Sequence, residues 1–328
     1  MRKTAITAAL LIAVAACSSS NAASSTTESQ ATTTTGIEVT TTTMAATTTT
    51  ESSGFPVDVD ADNGTITIDA RPEAIISLSS TATEMLFAIG AGPQVIAVDD
   101  QSNYPTEAPM TDLSGFTPNL EAILSLAPDL VVITFDPGDL IAGLETAGVP
   151  VLSYGGAFTI DDVYRQIDAL GVATGNSDRA ADANDAIQHE LADVVAGSVG
   201  SGEGVTYYHE IDSTLYTATS STFFGEIYGL FGLVNVADPA DAVGAAFGYP
   251  QLSAEFVVAA DPDIIFLSNV LYGETAETVS ERSGWGVMSA IQEGNIVELD
   301  SDVASRWGPR IVDFAQSIAD ALNAYQGG

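Results

Sequence analysis

Positive charge is the scarcest commodity in this sequence. Its 328 residues hold 44 aspartates and glutamates against 8 lysines and arginines, with 2 histidines. Arg2 and Lys3 occupy the start, no lysine follows Lys3, and six arginines are scattered from Arg71 to Arg310. So acidic a surface repels phosphate backbones and anionic headgroups, which excludes nucleic acid as a partner. It favours solubility, including in salt, and alternatively a cationic partner. Cysteine is nearly missing too: Cys17 stands alone, so no intrachain disulfide can form. His189 and His209 have no second histidine or cysteine at metal-ligand spacing, which removes a histidine-rich zinc or manganese site. His189 reads as a solvated helix position, and His209, beside Glu210 near a strand end, as a surface position. There is no P-loop, no Gly-x-Ser-x-Gly elbow and no dinucleotide fingerprint. No catalytic residue, metal site or cofactor is expected, and the chain is not read as an enzyme.

What is present begins with an export pattern. Arg2 and Lys3 form a short basic region, and Ala5 to Ala16 is an apolar run too short to span a bilayer. It ends in Val14-Ala15-Ala16-Cys17, which resembles the bacterial lipobox, where signal peptidase cuts before a lipid-modified cysteine. An ordinary signal peptide with a chance cysteine is the competing reading. The lipobox is preferred because the sole cysteine falls where that chemistry needs it. Residues 1–16 are therefore read as a signal peptide. Residues 17–54 are read as the lipidated cysteine and a Ser/Thr-rich tether with too little apolar surface to pack.

From Phe55 onward, short apolar runs alternate with helical patterns. Ala74–Leu78, Val95–Val98, Leu130–Thr134 and Val149–Tyr154 read as buried strands of the parallel kind. Thr81-Ala82-Thr83-Glu84 has the spacing of a capping box, and Thr117-Pro118 that of an N-cap followed by proline at the first helical position. The alternation predicts βαβ units and an α/β fold. Residues 160–200 carry no strand signal and predict a helical connection. Within it, Ala180, Ala183, Ile187, Leu191 and Val194 mark one helix over about 177–197. The alternation resumes at Val205, giving an N-terminal lobe over 55–159 and a C-terminal lobe over 201–328.

The two halves echo each other. Glu121 is followed by Pro128-Asp129 and the strand Leu-Val-Val-Ile, and Glu255, at the same interval, by Pro262-Asp263 and Ile-Ile-Phe-Leu. Upstream, Ser79-Ser80-Thr81 leads into a helix with Glu84, and Ser220-Ser221-Thr222 into one with Glu226. Two matches in the same order point to a duplicated lobe.

At these residues a family becomes recognisable. Residues 75–108, IISLSSTATEMLFAIGAGPQVIAVDDQSNYPTEA, and GFTPNLEAILSLAPDLVVIT resemble the N-terminal lobe of the cobalamin and ferric-siderophore binding proteins of ABC importers. YPQLSAEFVVAADPDIIFLS and GNIVELDSDVASRWGPRIVDFAQSIADAL resemble the matching C-terminal segments. The resemblance implies two Rossmann-like lobes with mostly parallel sheets, joined by a single long backbone helix, with ligand in the cleft between them. It also implies an extracytoplasmic lipoprotein, anchored to the cell membrane through Cys17. Such a protein works as a monomer that hands a large metal chelate, a corrinoid or ferric siderophore, to an ABC permease dimer. A ligand-sensing or surface-binding lipoprotein without a transport role, and a haem carrier, are the alternatives.

Candidate ligand contacts lie at the cleft edge. Ser79, Ser80, Thr81, Ser220 and Ser221 put hydroxyls and free helix amides at strand ends, where they serve polar groups or simply cap helices. Tyr104, Phe116, Tyr154, Tyr249 and Trp307 fall in loops and offer flat surfaces, in the pocket or in the core. The resemblance implies pocket roles for Phe116 and Tyr249, a ligand contact for Arg306, and docking of Glu121 and Glu255, one per lobe, onto permease arginines. Arg310 reads as a structural tie. The shortage of cations tilts the ligand towards a corrinoid or a neutral to cationic hydroxamate siderophore and away from triply anionic catecholate complexes. Cys17→Ala should move the protein to the aqueous phase in detergent-phase partitioning without altering its fold; retention in the detergent phase would contradict the lipobox.

Overall fold

The computed structural model describes residues 54–198 and 202–325. The signal segment, Cys17 and the tether up to residue 53 lie outside the described residues. No helix among the described residues is long and apolar enough to cross a membrane.

The chain opens with a hairpin, β1 (Val57–Ala61) and β2 (Gly64–Ile68), turning on Asp62-Asn63. Asn63 donates to Val151 O and accepts from Ser153 N. The turn thus covers the free edge of a later strand, an edge that would otherwise be open to pairing. The sequence reading did not mark this hairpin, although Val57/Val59 and Ile66/Ile68 alternate around an Asn-Gly pair.

The first lobe runs β3 (Ile75–Leu78), α1 (Ser80–Ala88), β4 (Val95–Asp99), β5 (Met110–Leu113), α2 (Leu120–Ser125), β6 (Leu130–Ile133), α3 (Leu140–Thr146) and β7 (Val151–Ser153), strand and helix alternating except that β5 follows β4 through a loop. Its five strands lie in the order β5-β4-β3-β6-β7 and are parallel throughout. β3, β6 and β7 are buried along their whole length, which is why they read as unbroken apolar runs. The second lobe contains β8 (Thr206–Glu210), α6 (Phe223–Leu230), β9 (Val234–Asn235), α7 (Ala254–Ala260), β10 (Ile264–Leu267), α8 (Ala276–Ser280), α9 (Ser289–Glu293) and β11 (Ile296–Glu298). Its parallel sheet has the order β11-β10-β8-β9. Both sheets start in the middle and wind outward in two directions. Each therefore has a switch point, between β3 and β6 and between β8 and β10, where the strand-end loops diverge and leave a crevice.

The repeated Pro-Asp has a structural reason. Asp129 accepts from the Glu73 and Ala74 amides just before β3, and Asp263 from the amide and hydroxyl of Thr206, which opens β8. In each lobe the aspartate ahead of the strand beyond the switch point clamps the start of the central strand.

Three helices join the lobes: α4 (Ile160–Thr174), α5 (Ser177–Gly197) and the C-terminal α10 (Ile311–Ala324). The 21 residues of α5 make a rod of about 30 Å, packed against both α4 and α10. A Cβ on Gly171 would stand 2.4 Å from that of Ala180, so glycine is what lets α4 and α5 approach.

Two local expectations are corrected. α2 is capped by Asn119, whose Oδ1 accepts from Ala122 N, not by Thr117; the Ser114 hydroxyl accepts from the Phe116 and Thr117 amides and holds that stretch in a turn, leaving Pro118 outside the helix. His209 is not at the surface. It sits on the face of β8 that packs under α6 and α10, stacked on Phe224, with Nδ1 2.9 Å from the Tyr228 hydroxyl. Full burial disfavours its charged form and lowers its pKa to about 4.

This makes the fold acid-sensitive at one identifiable residue. Unfolded histidine binds a proton below about pH 6.5, whereas His209 in the fold does not until about pH 4. Stability should therefore fall between those limits, by about 1.4 kcal/mol per pH unit and about 3 kcal/mol in all. Urea denaturation of wild type and His209→Phe from pH 7.5 down to about pH 4.5 checks this. The two pH profiles should diverge below about pH 6.5; parallel profiles would contradict it.

Candidate functional site: the strand-end cleft between the lobes

At the first switch point β3 ends in Ser79, the N-cap of α1, whose hydroxyl accepts from Ala82 N. The Thr134 hydroxyl, just beyond β6, donates to the same Ser79 oxygen at 2.7 Å. Ser79 and Thr81 are buried, so Ser80, half exposed, is the member of this triplet nearest solvent. Below them a hydroxyl chain runs Thr83–Ser102–Asp99, with the Ser102 hydroxyl 2.6 Å from the carboxylate. Burial, the larger cause, raises the Asp99 pKa against that hydrogen bond. A Cβ on Gly115 would lie 2.6 Å from Leu78 O and 2.9 Å from Asp99, so this glycine lets the loop after β5 close over the end of β3.

At the second switch point β8 ends in Glu210, fully buried, which accepts from Asn269 and takes both terminal nitrogens of Arg282 at 2.6 and 2.7 Å. Arg282 also reaches Glu274 and lies over the Trp285 ring. Ser220 and Ser221 are exposed ahead of α6, whose N-cap is Thr222. The Ser220 amide and hydroxyl both donate to Asp238.

Aromatic rings crowd the strand-end loops. Phe116 is exposed after β5 and packs on Phe135, exposed after β6, with centroids 5.4 Å apart. Tyr104, exposed after β4, lies 4.4 Å over the Arg310 guanidinium. Tyr249 and Trp307 are half-buried, and Trp307 Nε1 donates to Gln166. Tyr154 belongs to the core: it is buried and its hydroxyl donates to Asp60 O. The sequence reading missed Phe135, Tyr216, Phe247 and Tyr272, all exposed in loops that follow strands. Phe247 is 84% exposed on a left-handed backbone (φ 53°), held by the Asp241 carboxylate, which accepts from the amides of Ala246 and Gly248 on either side. An exposed ring on a strained residue is a signal that only the backbone reveals.

The lobes are tied by two reciprocal glutamates. Glu84 of α1 takes Arg306 at 2.8 Å and Arg310 at 2.6 and 2.9 Å, both from the segment that opens α10. Glu226 of α6 takes the Ile160 amide at the start of α4. Each lobe's first helix thus reaches the helix that leaves the other lobe's last strand. Asn103 adds a 2.7 Å bond to Asp302, and Arg306 reaches both Gln101 O and Asp302. The hydrogen bonds to Glu84 hold Arg310 in its charged form. The expected capping box does not form: the N-cap of α1 is Ser79, not Thr81, so Glu84 lies beyond N3 and its carboxylate serves the lobe junction. Arg306, expected as a ligand contact, lies at 5% side-chain exposure against Glu84 at 1%.

Glu121 and Glu255 are equivalent in place. Each is the second residue of its helix, behind Asn119 in α2 and Ser253 in α7, and each side chain is exposed without an ion-pair partner among the described residues. A separate recess of about 540 Å³ lies between the hairpin and α4, lined by Asp58, Asp60, Asp62, Phe158 and Arg165. Thr67, Thr65 and the Gly155 amide donate to its carboxylates, and it is lined by the hairpin, the segment after β7 and α4, with nothing from the second lobe. The strand-end loops at the two switch points, where the exposed rings lie, are the candidate site. Among the described residues no cluster of histidine, cysteine or acidic side chains could hold a metal ion.

A family model described as periplasmic binding protein matches residues 75–303. An uncharacterized ABC transporter substrate-binding lipoprotein of Bacillus subtilis (strain 168) is 29% identical over 278 residues, 82% of this chain and 86% of that one. A cobalamin-binding protein of Halobacterium salinarum is 31% identical over 281 residues, 82% of this chain and 74% of that one. Among solved structures, the periplasmic vitamin B12 binding protein of Vibrio cholerae superposes with a TM-score of 0.63 at 26% identity, covering 79% of this chain and 99% of that one.

Removing one partner of the lobe tie tests its weight. Glu84→Gln leaves two guanidinium groups at the junction without their shared counter-charge and should lower stability by about 3–5 kcal/mol in urea denaturation. A change under about 1 kcal/mol would show that the tie is a solvated contact of little consequence.

Proposed function

The chain belongs to the periplasmic binding protein family, and from that premise we propose that it captures a large metal chelate, a corrinoid or ferric siderophore, outside the cytoplasm and delivers it to an ABC importer. The chelate lies between the two switch points. Phe116 with Phe135, Tyr104, Tyr249 and Phe247 offer its faces flat apolar surfaces, while Ser80 and Thr134 supply hydroxyls. Lipidation of Cys17 and the tether behind it would keep a monomer near the membrane within reach of its permease.

The observation that carries this reading is the pair Glu121 and Glu255. A carboxylate in a first helical turn stabilises its helix by about 0.3–1 kcal/mol, and that local effect does not explain the same position in both lobes, at one interval from the following Pro-Asp. A two-lobed protein that meets a symmetric permease dimer needs one equivalent anchor per lobe. Exposed carboxylates paired with arginines give orientation and fast encounter, which transient docking requires.

The variant Glu121→Ala plus Glu255→Ala should keep ligand affinity and melting temperature near wild type yet abolish importer-dependent uptake of labelled cobalamin or of a radioiron hydroxamate chelate. Normal uptake at native expression would overturn the docking role, and so would a loss of ligand binding equal to the loss of uptake.

A further inference from the structure

We infer that the cleft selects its chelate by charge, taking complexes that are neutral or cationic overall and rejecting polyanionic ones; this deepens the proposed function and rests on it. The chain has few cations, and those beside the strand-end loops are already committed. Apart from Arg2 and Lys3, which lie outside the described residues, there are six arginines and no lysine. Arg71 precedes β3, on the edge opposite the cleft, and is bound to Thr174 O and Gln94. Arg179 covers Gly90 beyond the far end of α1. Arg165 pairs with Asp162 in the recess beside the hairpin. Arg282 is held by Glu210 and Glu274. Arg306 and Arg310 share Glu84, and Arg306 also has Asp302. Of the two histidines, His189 is exposed on α5 and His209 is buried and neutral. Among the described residues, each arginine beside the strand-end loops, Arg282, Arg306 and Arg310, is already paired with a carboxylate.

Several neutral donors that could replace a cation are engaged by carboxylates, most of them in the second lobe, whereas Ser80 at the start of α1 keeps its hydroxyl for ligand. The Ser220 amide and hydroxyl, at a helix start suited to an anion, both donate to Asp238. In the same loop Asp212 accepts from Thr214, and in the loops after β6 and β9 Asp136 accepts from the Ile141 amide and Asp241 from the amides of Ala246 and Gly248. An anionic ligand would have to displace side chains covalently fixed in place, inside the field of those aspartates and of a chain with net charge −36. A neutral corrinoid or a cationic hydroxamate chelate meets no such competition, since rings and hydroxyls hold it without a counter-charge.

The test is titration of the purified lipoprotein, in detergent, with four probes: cyanocobalamin (neutral), ferrioxamine B (cationic), ferric enterobactin (trianionic) and haemin (anionic through its propionates), each at low and high salt. At least one of the first two should bind roughly tenfold or more tighter than either anion, and any ferrioxamine binding should weaken as salt screens the attraction. If either anionic probe binds within about tenfold of the best neutral or cationic one, the charge inference is overturned while the chelate-binding function stands. If none of the four binds, the chelate-binding reading itself fails.

Discussion

The arrangement of this molecule hangs on one buried carboxylate. Glu84 is nearly without solvent and shared between Arg306 and Arg310, residues more than two hundred positions away in the chain. Three charged groups at such a junction carry a large desolvation penalty, and only close geometry with several charge-assisted hydrogen bonds offsets it. Here the geometry is close, and Asp302 brings the cluster to neutrality. The counterpart is Glu226 on the Ile160 amide, a charge against a helix start instead of a charge against arginines. Together the two contacts fix how each lobe meets the helix that leaves the other. With α5 packed along both α4 and α10, the junction has little freedom to hinge.

The same tie explains the electrical character of the site. In a chain with so few arginines, committing two of them to the lobe junction and one to Glu210 leaves the strand-end loops with hydroxyls, rings and aspartates. Cations that hold the lobes together are thereby withdrawn from those loops. The two glutamates kept free of arginines, Glu121 and Glu255, are available to a partner that brings its own.

Much of this was legible in the sequence, and the divide is physical. Fully buried parallel strands such as Leu130–Ile133 announce themselves as continuous apolar runs, and α5 shows its buried face at helical spacing through Ala180, Ile187 and Leu191. The Glu and Pro-Asp echo was visible as a repeat, and the structure supplies its cause in the strand clamps of Asp129 and Asp263. What stayed hidden involves partners distant in sequence. Glu84 matched a local capping pattern and serves a contact across the lobes. His209 looked like a strand-end surface residue because nothing nearby in sequence reveals α6 and α10 closing over it. Phe247 and Phe135 are single rings in loops, with no periodicity to mark them.

The central claim is that the cleft between the switch points holds one metal chelate without help from a cation. Native mass spectrometry of the protein isolated gently from its own host tests this most directly, because the cell then chooses the ligand. The account predicts a single non-covalent adduct per chain, whose mass and isotope pattern identify a corrinoid or iron chelate of neutral or positive overall charge. A chain that carries no such adduct under ligand-replete growth, or one that carries a polyanionic complex, would contradict it.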